Sequence, residues 1–440
     1  MSVLRKLSRR IAARPRVRAS LVVLGGNVAG AGAAFAAAIV AARVLPIDEF
    51  AAFGVGLAVH SLAVQFGDFG LGTVAVAETA ELGDTKAARA KLRSLLLHRA
   101  RTAIAVALLA IGIVYLLPPL EPYRAAAAVG AGGEIFGAVA YFLIWSLQGR
   151  RRFAIAGSLQ GMQGGLRLVG VAACAIAGLG AVPMMVAYAV LAPFATMLLA
   201  ALLLFARSQL NEADDAAAPA PVEIDLQRRR TMALTAAFSA MVINGDVLLL
   251  AMLAGEPEVA AYTAAWRFSS GVLLANTAIA SAMLPFIVTA PDAWGEAKLL
   301  ARRGLALAGG WFVLLPVLAV AGPLLLGAIG EEARTPLIVL LVAFALDGFY
   351  FALYQIYLRV RRERFLLAIA VVELTVMAVV TILLQAEGAS APAFGQLAAR
   401  VAVCLLVVAP IGLAVAKRCR WFEQPDAPIA LATECKSSRA

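Results

Sequence analysis

The chain has 440 residues, of which 62% are hydrophobic and only 15% are charged, and its formal net charge is +11. So high an apolar content excludes an ordinary soluble domain and is typical of a protein that crosses a membrane several times. In a soluble protein the positive charge would favour nucleic acid, but here it collects beside apolar segments, where it favours anionic lipid head groups.

Twelve apolar segments follow one another along the chain. Each contains about 20 mostly apolar residues, the length that a helix needs to cross ~30 Å of hydrocarbon. The predicted membrane helices are 19–42, 50–74, 102–120, 125–148, 153–178, 181–206, 231–254, 261–288, 304–326, 335–357, 365–385 and 393–416.

Lysine and arginine are divided unequally between the two sides of these segments. Of the 38 basic residues, 32 fall in the two tails and in the loops after even-numbered helices, while Arg43, Arg124 and Arg334 fall in loops on the other side. Because basic loops stay in the cytoplasm, the pattern predicts cytoplasmic N- and C-termini. The basic start resembles a signal peptide, but its apolar run is long and eleven further spans follow, so we expect a retained first helix.

The twelve segments form two related halves. PIDEFAAFG (46–54) matches GEPEVAAYT (255–263), which aligns Glu49 with Glu258, and RRRF (150–153) matches RRERF (361–365). An even number of helices in each half places a pseudo-twofold axis along the membrane normal. We therefore predict an all-α polytopic membrane protein whose two six-helix lobes enclose a central cavity.

An Ala-, Pro- and Asp-rich stretch between the sixth and seventh segments reads as a linker. The predicted organisation is a basic cytoplasmic tail (1–18), an N-lobe (19–206), a cytoplasmic linker (207–230), a C-lobe (231–416) and a cytoplasmic C-terminal tail (417–440).

Polar side chains form stripes inside several predicted helices. Gln160, Gln163 and Arg167 lie on one face of the fifth helix, and Asp347, Tyr350 and Tyr354 follow one face of the tenth. A charged side chain at the bilayer centre costs about 2.5–3.5 kcal/mol. Such stripes are therefore expected to face water or a neighbouring helix rather than lipid.

Three arginines inside the predicted spans are candidates for binding an anion, because a guanidinium bonds phosphate oxygens bidentately and keeps its charge when desolvated. The alternative is structural: Arg167 would pair with Glu134 or Glu373 and Arg267 with Asp246, while Arg267 and Arg400 lie near enough to a helix end to reach the membrane surface. The candidate substrate-binding residues are Arg167, Arg267, Gln160, Gln163, Arg400, Tyr350 and Tyr354.

Asp246, Asp347 and Glu134 are candidates for coupling transport to an ion, either H⁺ or Na⁺, because a desolvated carboxyl changes protonation more readily near neutral pH. A hydrogen-bonded or ion-paired acid that holds helices together is the alternative reading. The four scattered cysteines form no CxxC or Cys/His cluster, so we expect neither a metal site nor a disulfide.

Four segments carry a family resemblance: RVLPIDEFAAFG after the first helix, GDFGLGT at the end of the second, LQGRRRF after the fourth, and DVLLLAMLAGEPEVAAYTAAWRF across the seventh and eighth. In this order they resemble the polysaccharide-transport branch of the multidrug/oligosaccharidyl-lipid/polysaccharide (MOP) exporter superfamily, whose members include O-antigen and exopolysaccharide repeat-unit flippases. The resemblance covers about 18–418.

The resemblance implies transport of an undecaprenyl-pyrophosphate-linked oligosaccharide from the cytoplasmic to the periplasmic leaflet of a bacterial inner membrane, by rocking of two lobes about a cationic cavity. It implies no cofactor, in keeping with the absence of a GxxxxGK[ST] phosphate-binding loop. Its implied partners are the lipid-linked substrate, membrane lipids and polysaccharide assembly proteins, with no nucleic acid.

Two other classes remain as alternatives. A drug/cation antiporter of the same superfamily would use the five acids that lie within the predicted spans. A membrane glycosyltransferase or polymerase would be an enzyme with a large periplasmic loop, whereas every predicted outer loop has about ten residues or fewer. We therefore expect a transporter rather than an enzyme.

Overall fold

The computed structural model describes residues 15–68, 86–205, 226–289, 293–359 and 363–416. This part of the chain forms twelve helices, numbered here in chain order. Those of the first half are α1 (Pro15–Val44), α2 (Ile47–Asp68), α3 (Lys86–Leu116), α4 (Arg124–Gly149), α5 (Phe153–Ile176) and α6, which passes from Ala181–Met185 through a π-helical turn, Val186–Leu191, into Ala192–Phe205. Those of the second half are α7 (Leu226–Leu253), α8 (Glu256–Thr289), α9 (Ala293–Leu326), α10 (Arg334–Arg359), α11 (Glu363–Leu383) and α12 (Ser390–Ala416).

Nine of these helices contain a stretch that is long and apolar enough to cross a membrane, judged by length and composition within the described residues. Of the remaining three, α5 and α10 contain the polar stripes of Arg167 and Asp347, and α8 contains Arg267. The protein is a multi-pass membrane protein, and the prediction of an all-α fold with twelve membrane helices is confirmed.

The packing of the helices repeats between the two halves. In the first half α1 packs on α5, α2 on α4, α3 on α4, and α4 on α6. In the second half the equivalent helices do the same: α7 packs on α11, α8 on α10, α9 on α10, and α10 on α12. The two halves are thus two lobes of one architecture, related by the predicted pseudo-twofold symmetry.

Two acids at equivalent positions reinforce this repeat. Glu49 in the first turn of α2 accepts a hydrogen bond of 2.7 Å from the backbone N–H of Ala181, which begins α6. Glu258 in the first turn of α8 lies directly against Gly388, in the equivalent connection between α11 and α12. Gly388 and Gly178, which follow α11 and α5, both have positive φ, 54° and 66°, a conformation that glycine adopts without steric cost. A glycine with positive φ therefore precedes the last helix of each lobe.

The lobes meet near one end of the helices, which we call the short-loop end because the connections α1–α2, α5–α6 and α7–α8 lie there. Helices α1 and α2 of the N-lobe contact α7 and α8 of the C-lobe. A continuous hydrophobic core crosses this boundary and includes the fully buried Phe53 and Tyr262. Gly54 approaches Thr263 so closely that no larger residue fits there.

A second hydrophobic cluster lies toward the opposite end and is built from the N-lobe only. Its buried members are Leu92, Phe142, Leu143, Ile144, Leu147, Ala156, Leu159, Ala200 and Leu204. In the described part of the chain, one hydrophobic core is therefore shared by both lobes at the short-loop end. At the opposite end the N-lobe has a hydrophobic cluster of its own.

Candidate functional site

Glycines fix the orientation of α5. Gly157 and Gly164 face Gly26 and Gly30 of α1 so closely that an added Cβ would meet backbone atoms of the other helix. Close approach of two membrane helices through small residues gives strong van der Waals packing. The stripe that contains Arg167 begins at Gln160, three residues after Gly157. On a helix this spacing places the stripe directly beside the glycines that contact α1.

Arg167 lies at about the middle of the membrane, nine residues from the end of α5, or ~14 Å at 1.5 Å per residue. Its Nε donates a hydrogen bond of 3.3 Å to the backbone oxygen of Tyr188, and its guanidinium stands 4.5 Å from the centre of the Tyr188 ring. Tyr141 on α4 is near enough to interact with it electrostatically. Helices α4 and α6 thus both contribute to the surroundings of Arg167.

Arg267 approaches the same region from the C-lobe. It lies eleven residues into α8, ~16 Å from the short-loop end, and its guanidinium stands 4.7 Å from the centre of the Trp266 ring. Its Nε is buried and has no hydrogen-bond partner among the described residues. Arg267 is near enough to Arg167 and Tyr188 for direct electrostatic interaction. The predicted cavity arginines therefore converge from opposite lobes.

We call Arg167 and Arg267 the interface arginines. Among the described residues, neither forms an ion pair with a carboxylate. The pairing of Arg167 with Glu134 or Glu373, and of Arg267 with Asp246, is not seen. Two guanidiniums near each other repel, so this region favours an anion between them.

Two amides continue the stripe on α5. Gln163 is 2% exposed and its Nε2 has no hydrogen-bond partner in the described part of the chain, and the same is true of Oε1 of Gln160. A buried amide without a partner loses its bonds to water at a cost of about 1–3 kcal/mol. These groups therefore have hydrogen-bonding capacity that no described residue uses.

Arg400 has a different environment. Its Nε lies 2.8 Å from Oδ1 of Asp347, its Nη1 contacts Glu373, and it is only 4% exposed. Helices α10, α11 and α12 bring these three side chains together inside the C-lobe. Arg400 is thus placed in an ion-paired cluster rather than beside the interface arginines.

Asp246 lies in a neighbouring network of hydrogen bonds. Its carboxylate accepts bonds from the hydroxyl of Tyr262, from Nε2 of Gln396 at 2.7 Å and from the backbone N–H of Val247 at 2.8 Å. Asp246, Tyr262 and Gln396 are all fully buried. The candidate coupling acids Asp246 and Asp347 thus both belong to the interior of the C-lobe.

The third candidate acid, Glu134, is ion-paired in the N-lobe. Its Oε1 lies 3.1 Å from Nη2 of Arg99, and both side chains are fully buried. The apolar pattern places Arg99 in a basic loop before a helix that starts at 102. That boundary is wrong, because α3 already begins at Lys86. The error arises because a single buried arginine cannot be told from its basic neighbours by composition alone.

Aromatic side chains complete the site. Tyr141 packs against Trp145 with ring centres 6.0 Å apart, and Trp266 makes an edge contact with Phe344. The sequence pattern did not single out Tyr188, and the only signal was a phenol group in an otherwise apolar helix. The side chains of Tyr350 and Tyr354 lie outside the described residues.

Two pseudosymmetric six-helix lobes with a cationic region between them define a polytopic membrane protein built from two repeats. The chain belongs to the polysaccharide biosynthesis protein family, whose sequence model matches residues 17–290. Among curated proteins, no significant match exists.

Solved structures of MOP transporters share the fold. A multidrug resistance MATE family transporter in an inward-facing conformation is 16% identical with a TM-score of 0.65, over 91% of this chain and 100% of that one. An outward-facing MATE structure has a TM-score of 0.60 at 16% identity, over 96% and 97% of the two chains.

A MOP transporter from Pyrococcus furiosus, described as having a binding pocket of reversed polarity, has a TM-score of 0.63 at 16% identity, over 91% and 96% of the chains. At these identities the likeness shows the fold.

Proposed function

We propose that this transporter flips an undecaprenyl-pyrophosphate-linked oligosaccharide, such as an O-antigen or exopolysaccharide repeat unit, from the cytoplasmic to the periplasmic leaflet of a bacterial inner membrane. The observation that carries the proposal is the pair of interface arginines, which come from opposite lobes, interact electrostatically and have no described carboxylate partner. Family membership supports the polysaccharide part of the proposal.

The geometry of the interface arginines suits a diphosphate. Each guanidinium lies over an aromatic ring, Tyr188 or Trp266, which covers one of its faces. Its N–H groups point outward in the plane of the guanidinium. Nε of Arg167 already donates to the backbone oxygen of Tyr188, so its Nη1 and Nη2 groups are the ones that would bond a ligand oxygen. Two such guanidiniums offer bidentate bonds to a pyrophosphate from both lobes at once.

The sugars of the substrate would lie along α4 and α5. Tyr141 and Trp145 offer ring faces to pyranose rings, and the unpartnered amide atoms of Gln160 and Gln163 offer bonds to hydroxyls. These groups continue from Arg167 toward the opposite end of the helices from the short-loop end. The pyrophosphate would thus lie deepest and the sugars closer to the open end.

The conformation fits the first half of a transport cycle. The lobes share their core at the short-loop end. If the basic loops are cytoplasmic, as the charge distribution predicts, the short-loop end is periplasmic, and the lobes are joined on the side opposite to the one where the substrate is loaded. Alternating access would then open the short-loop end and release the head group.

Coupling to an H⁺ or Na⁺ gradient would act through Asp246, Asp347 or Glu134, which are buried acids with donors or cations beside them. A change in the charge of any of these acids would alter the packing of its lobe, since a buried charge requires a partner.

The alternative function is a drug/cation antiporter, which requires an acidic cavity. Against it, the described membrane acids Asp246, Asp347, Glu373 and Glu134 are already engaged by donors or arginines, and the unpaired charges between the lobes are positive. A cationic drug would meet repulsion there.

A genetic experiment separates the two functions. The gene is deleted in its host, and lipid-linked repeat units and drug sensitivity are both measured. The proposal predicts accumulation of undecaprenyl-linked units facing the cytoplasm and loss of surface polysaccharide. Normal polysaccharide with increased drug sensitivity would identify the antiporter instead.

A further inference from the structure

The side chain of Arg43 makes hydrogen bonds between the lobes at the short-loop end. Arg43, in the last turn of α1, donates hydrogen bonds from Nε to the backbone oxygen of Leu325 at 2.7 Å and from Nη2 to that of Leu324 at 3.0 Å. Both carbonyls belong to the last turn of α9, which ends at Leu326. The N-lobe is thus bonded to the C-lobe through one arginine.

The chemistry of a helix end explains why this contact is favourable. The last four carbonyls of a helix have no intrahelical N–H donor, and the helix dipole gives this end a partial negative charge. A guanidinium satisfies two of these carbonyls and complements the charge. Gly327 follows directly with a φ of 69°, and the stem of Arg43 packs beside it.

The equivalent helix of the other lobe is capped differently. Helix α3, the repeat partner of α9, ends at Leu116, and its carbonyl at Tyr115 accepts a bond of 3.1 Å from Arg124. Arg124 begins α4 of the same lobe. Tyr115 and α3 therefore receive their arginine from within their own lobe.

The symmetry of the repeat is broken at this point. Arg334 begins α10 as Arg124 begins α4, so twofold symmetry would place Arg334 on the end of α9. Instead Arg334 is 60% exposed and lies 3.8 Å from Glu331. The carbonyls of α9 are occupied by Arg43 from the opposite lobe. The end of α3 is therefore bonded by an arginine of its own lobe, whereas the end of α9 is bonded by an arginine of the other lobe.

We propose that Arg43 sets the conformational equilibrium of the transporter by stabilising the state in which the lobes meet at the short-loop end. Opening of that end moves α1 away from α9 and must break both hydrogen bonds. The inference rests on alternating access, which is part of the proposed function, but it holds for any substrate.

Distances between spin labels test the proposal in the full-length protein in lipid nanodiscs. The four native cysteines are replaced by serine. One label pair is placed at the short-loop end, on Ile176→Cys and Leu383→Cys, whose side chains are 89% and 75% exposed. A second pair is placed toward the opposite end, on Leu97→Cys and Leu305→Cys, which are both 59% exposed. Double electron–electron resonance then gives the population of each state.

Arg43→Gln is expected to lengthen the distances at the short-loop end and shorten those at the opposite end. The ratio of the two populations should change about threefold to tenfold, the size expected for losing two solvent-exposed, charge-assisted hydrogen bonds. Arg124→Gln is the matched control, because it removes the same kind of contact within one lobe, and it should leave both distributions unchanged.

The proposal is overturned if Arg43→Gln gives the wild-type distributions or if Arg124→Gln shifts them equally. Should Arg43→Gln fail to fold, as judged by size-exclusion chromatography, Arg43→Lys decides. Lysine keeps the positive charge but makes fewer hydrogen bonds to the end of α9. Arg43→Lys should therefore shift the two populations in the same direction as Arg43→Gln, but by a smaller amount. Wild-type populations in Arg43→Lys would overturn the proposal. The distance measurement contains no substrate, so it tests the role of Arg43 independently of the substrate that the gene deletion tests.

Discussion

The membrane arginines of this protein fall into two groups that differ in their partners. Arg99 and Arg400 lie inside single lobes and form ion pairs, Arg99 with Glu134 and Arg400 with Asp347 and Glu373. The interface arginines lie where the lobes meet and are stacked on aromatic rings. The first group neutralises charge within a lobe, whereas the second has no described carboxylate partner, which is why we propose that it binds the ligand.

This comparison shows that depth in the membrane does not by itself identify a binding residue. Arg400 and Arg267 both lie ten or eleven residues from the short-loop end of their helices. Only the neighbouring helices decide whether each meets a carboxylate. The partner of an arginine, rather than its position along a helix, separates a structural role from a binding role.

The largest effect is expected for the ion-paired group. Arg99→Met leaves Glu134 buried without its cation, and Arg400→Met does the same to Asp347 and Glu373. Breaking a buried pair by removing one partner costs about 3–5 kcal/mol. Both variants should therefore show a large fall in yield and in thermal unfolding temperature in detergent.

A double variant provides the control for this prediction. Arg99→Met with Glu134→Gln removes both charges and should recover most of the lost stability. If Arg99→Met alone is as stable as the wild type, the buried ion pair is not what holds α3 to α4.

A smaller effect, on binding rather than on stability, is expected for the interface arginines. Arg167→Ala and Arg267→Ala should each weaken binding of an undecaprenyl-pyrophosphate oligosaccharide about tenfold to a hundredfold, the size of one or two charged hydrogen bonds. Lysine at either position should restore only part of the binding affinity, because an ammonium group cannot form the two parallel hydrogen bonds of a guanidinium.

The measurement is a titration of the purified protein with the labelled lipid at one fixed salt concentration. The unfolding temperature should change little in these variants, since no described carboxylate loses its partner. Equal losses of stability in Arg167→Ala and Arg400→Met would remove the distinction between the two groups.

Tyr262→Phe examines the C-lobe network without changing a charge. The variant keeps the buried ring but removes the hydroxyl that donates to Asp246. A buried acceptor that loses a donor costs about 1–3 kcal/mol. Stability should fall by this amount in a thermal unfolding experiment while substrate affinity stays near that of the wild type. A loss confined to affinity would instead place Asp246 in the binding site.

The smallest effect is expected at Tyr188. Tyr188→Leu removes the ring below Arg167 and should weaken binding by about 0.5–1 kcal/mol, or roughly twofold to fivefold. Tyr188→Phe keeps the ring and should bind nearly as well as the wild type. The same lipid titration measures both, and equal losses in the two variants would show that the hydroxyl matters rather than the stacking.

Much of the fold could be predicted from the sequence because membrane helices are marked by length and apolar content. The repeat was also visible, since Glu49 and Glu258 occupy equivalent turns. The start of α3 was not, because its first turns carry basic residues like those of a loop. Nor was the π-helical turn of α6, which lies in a uniformly apolar stretch.

The candidate site was predictable only in part. The polar stripe on α5 predicted that Arg167 lies on the same side of the helix as Gln160 and Gln163, since positions i, i+3 and i+7 share a face. The pairing of acids with arginines was not predictable, because Glu134 and Arg99 belong to different helices and spacing along the chain does not show which helices touch. The contact of Arg43 with α9 spans 282 residues and was invisible for the same reason.

Transport in vesicles tests the central claim most directly. The purified protein is placed in liposomes with a fluorescent undecaprenyl-pyrophosphate oligosaccharide, and the rate at which the lipid changes leaflet is measured for the wild type, for Arg167→Ala with Arg267→Ala, and for Arg124→Gln. The double variant should be folded yet lose nearly all transport, and Arg124→Gln should transport like the wild type. Transport at the wild-type rate by the folded double variant would contradict the account.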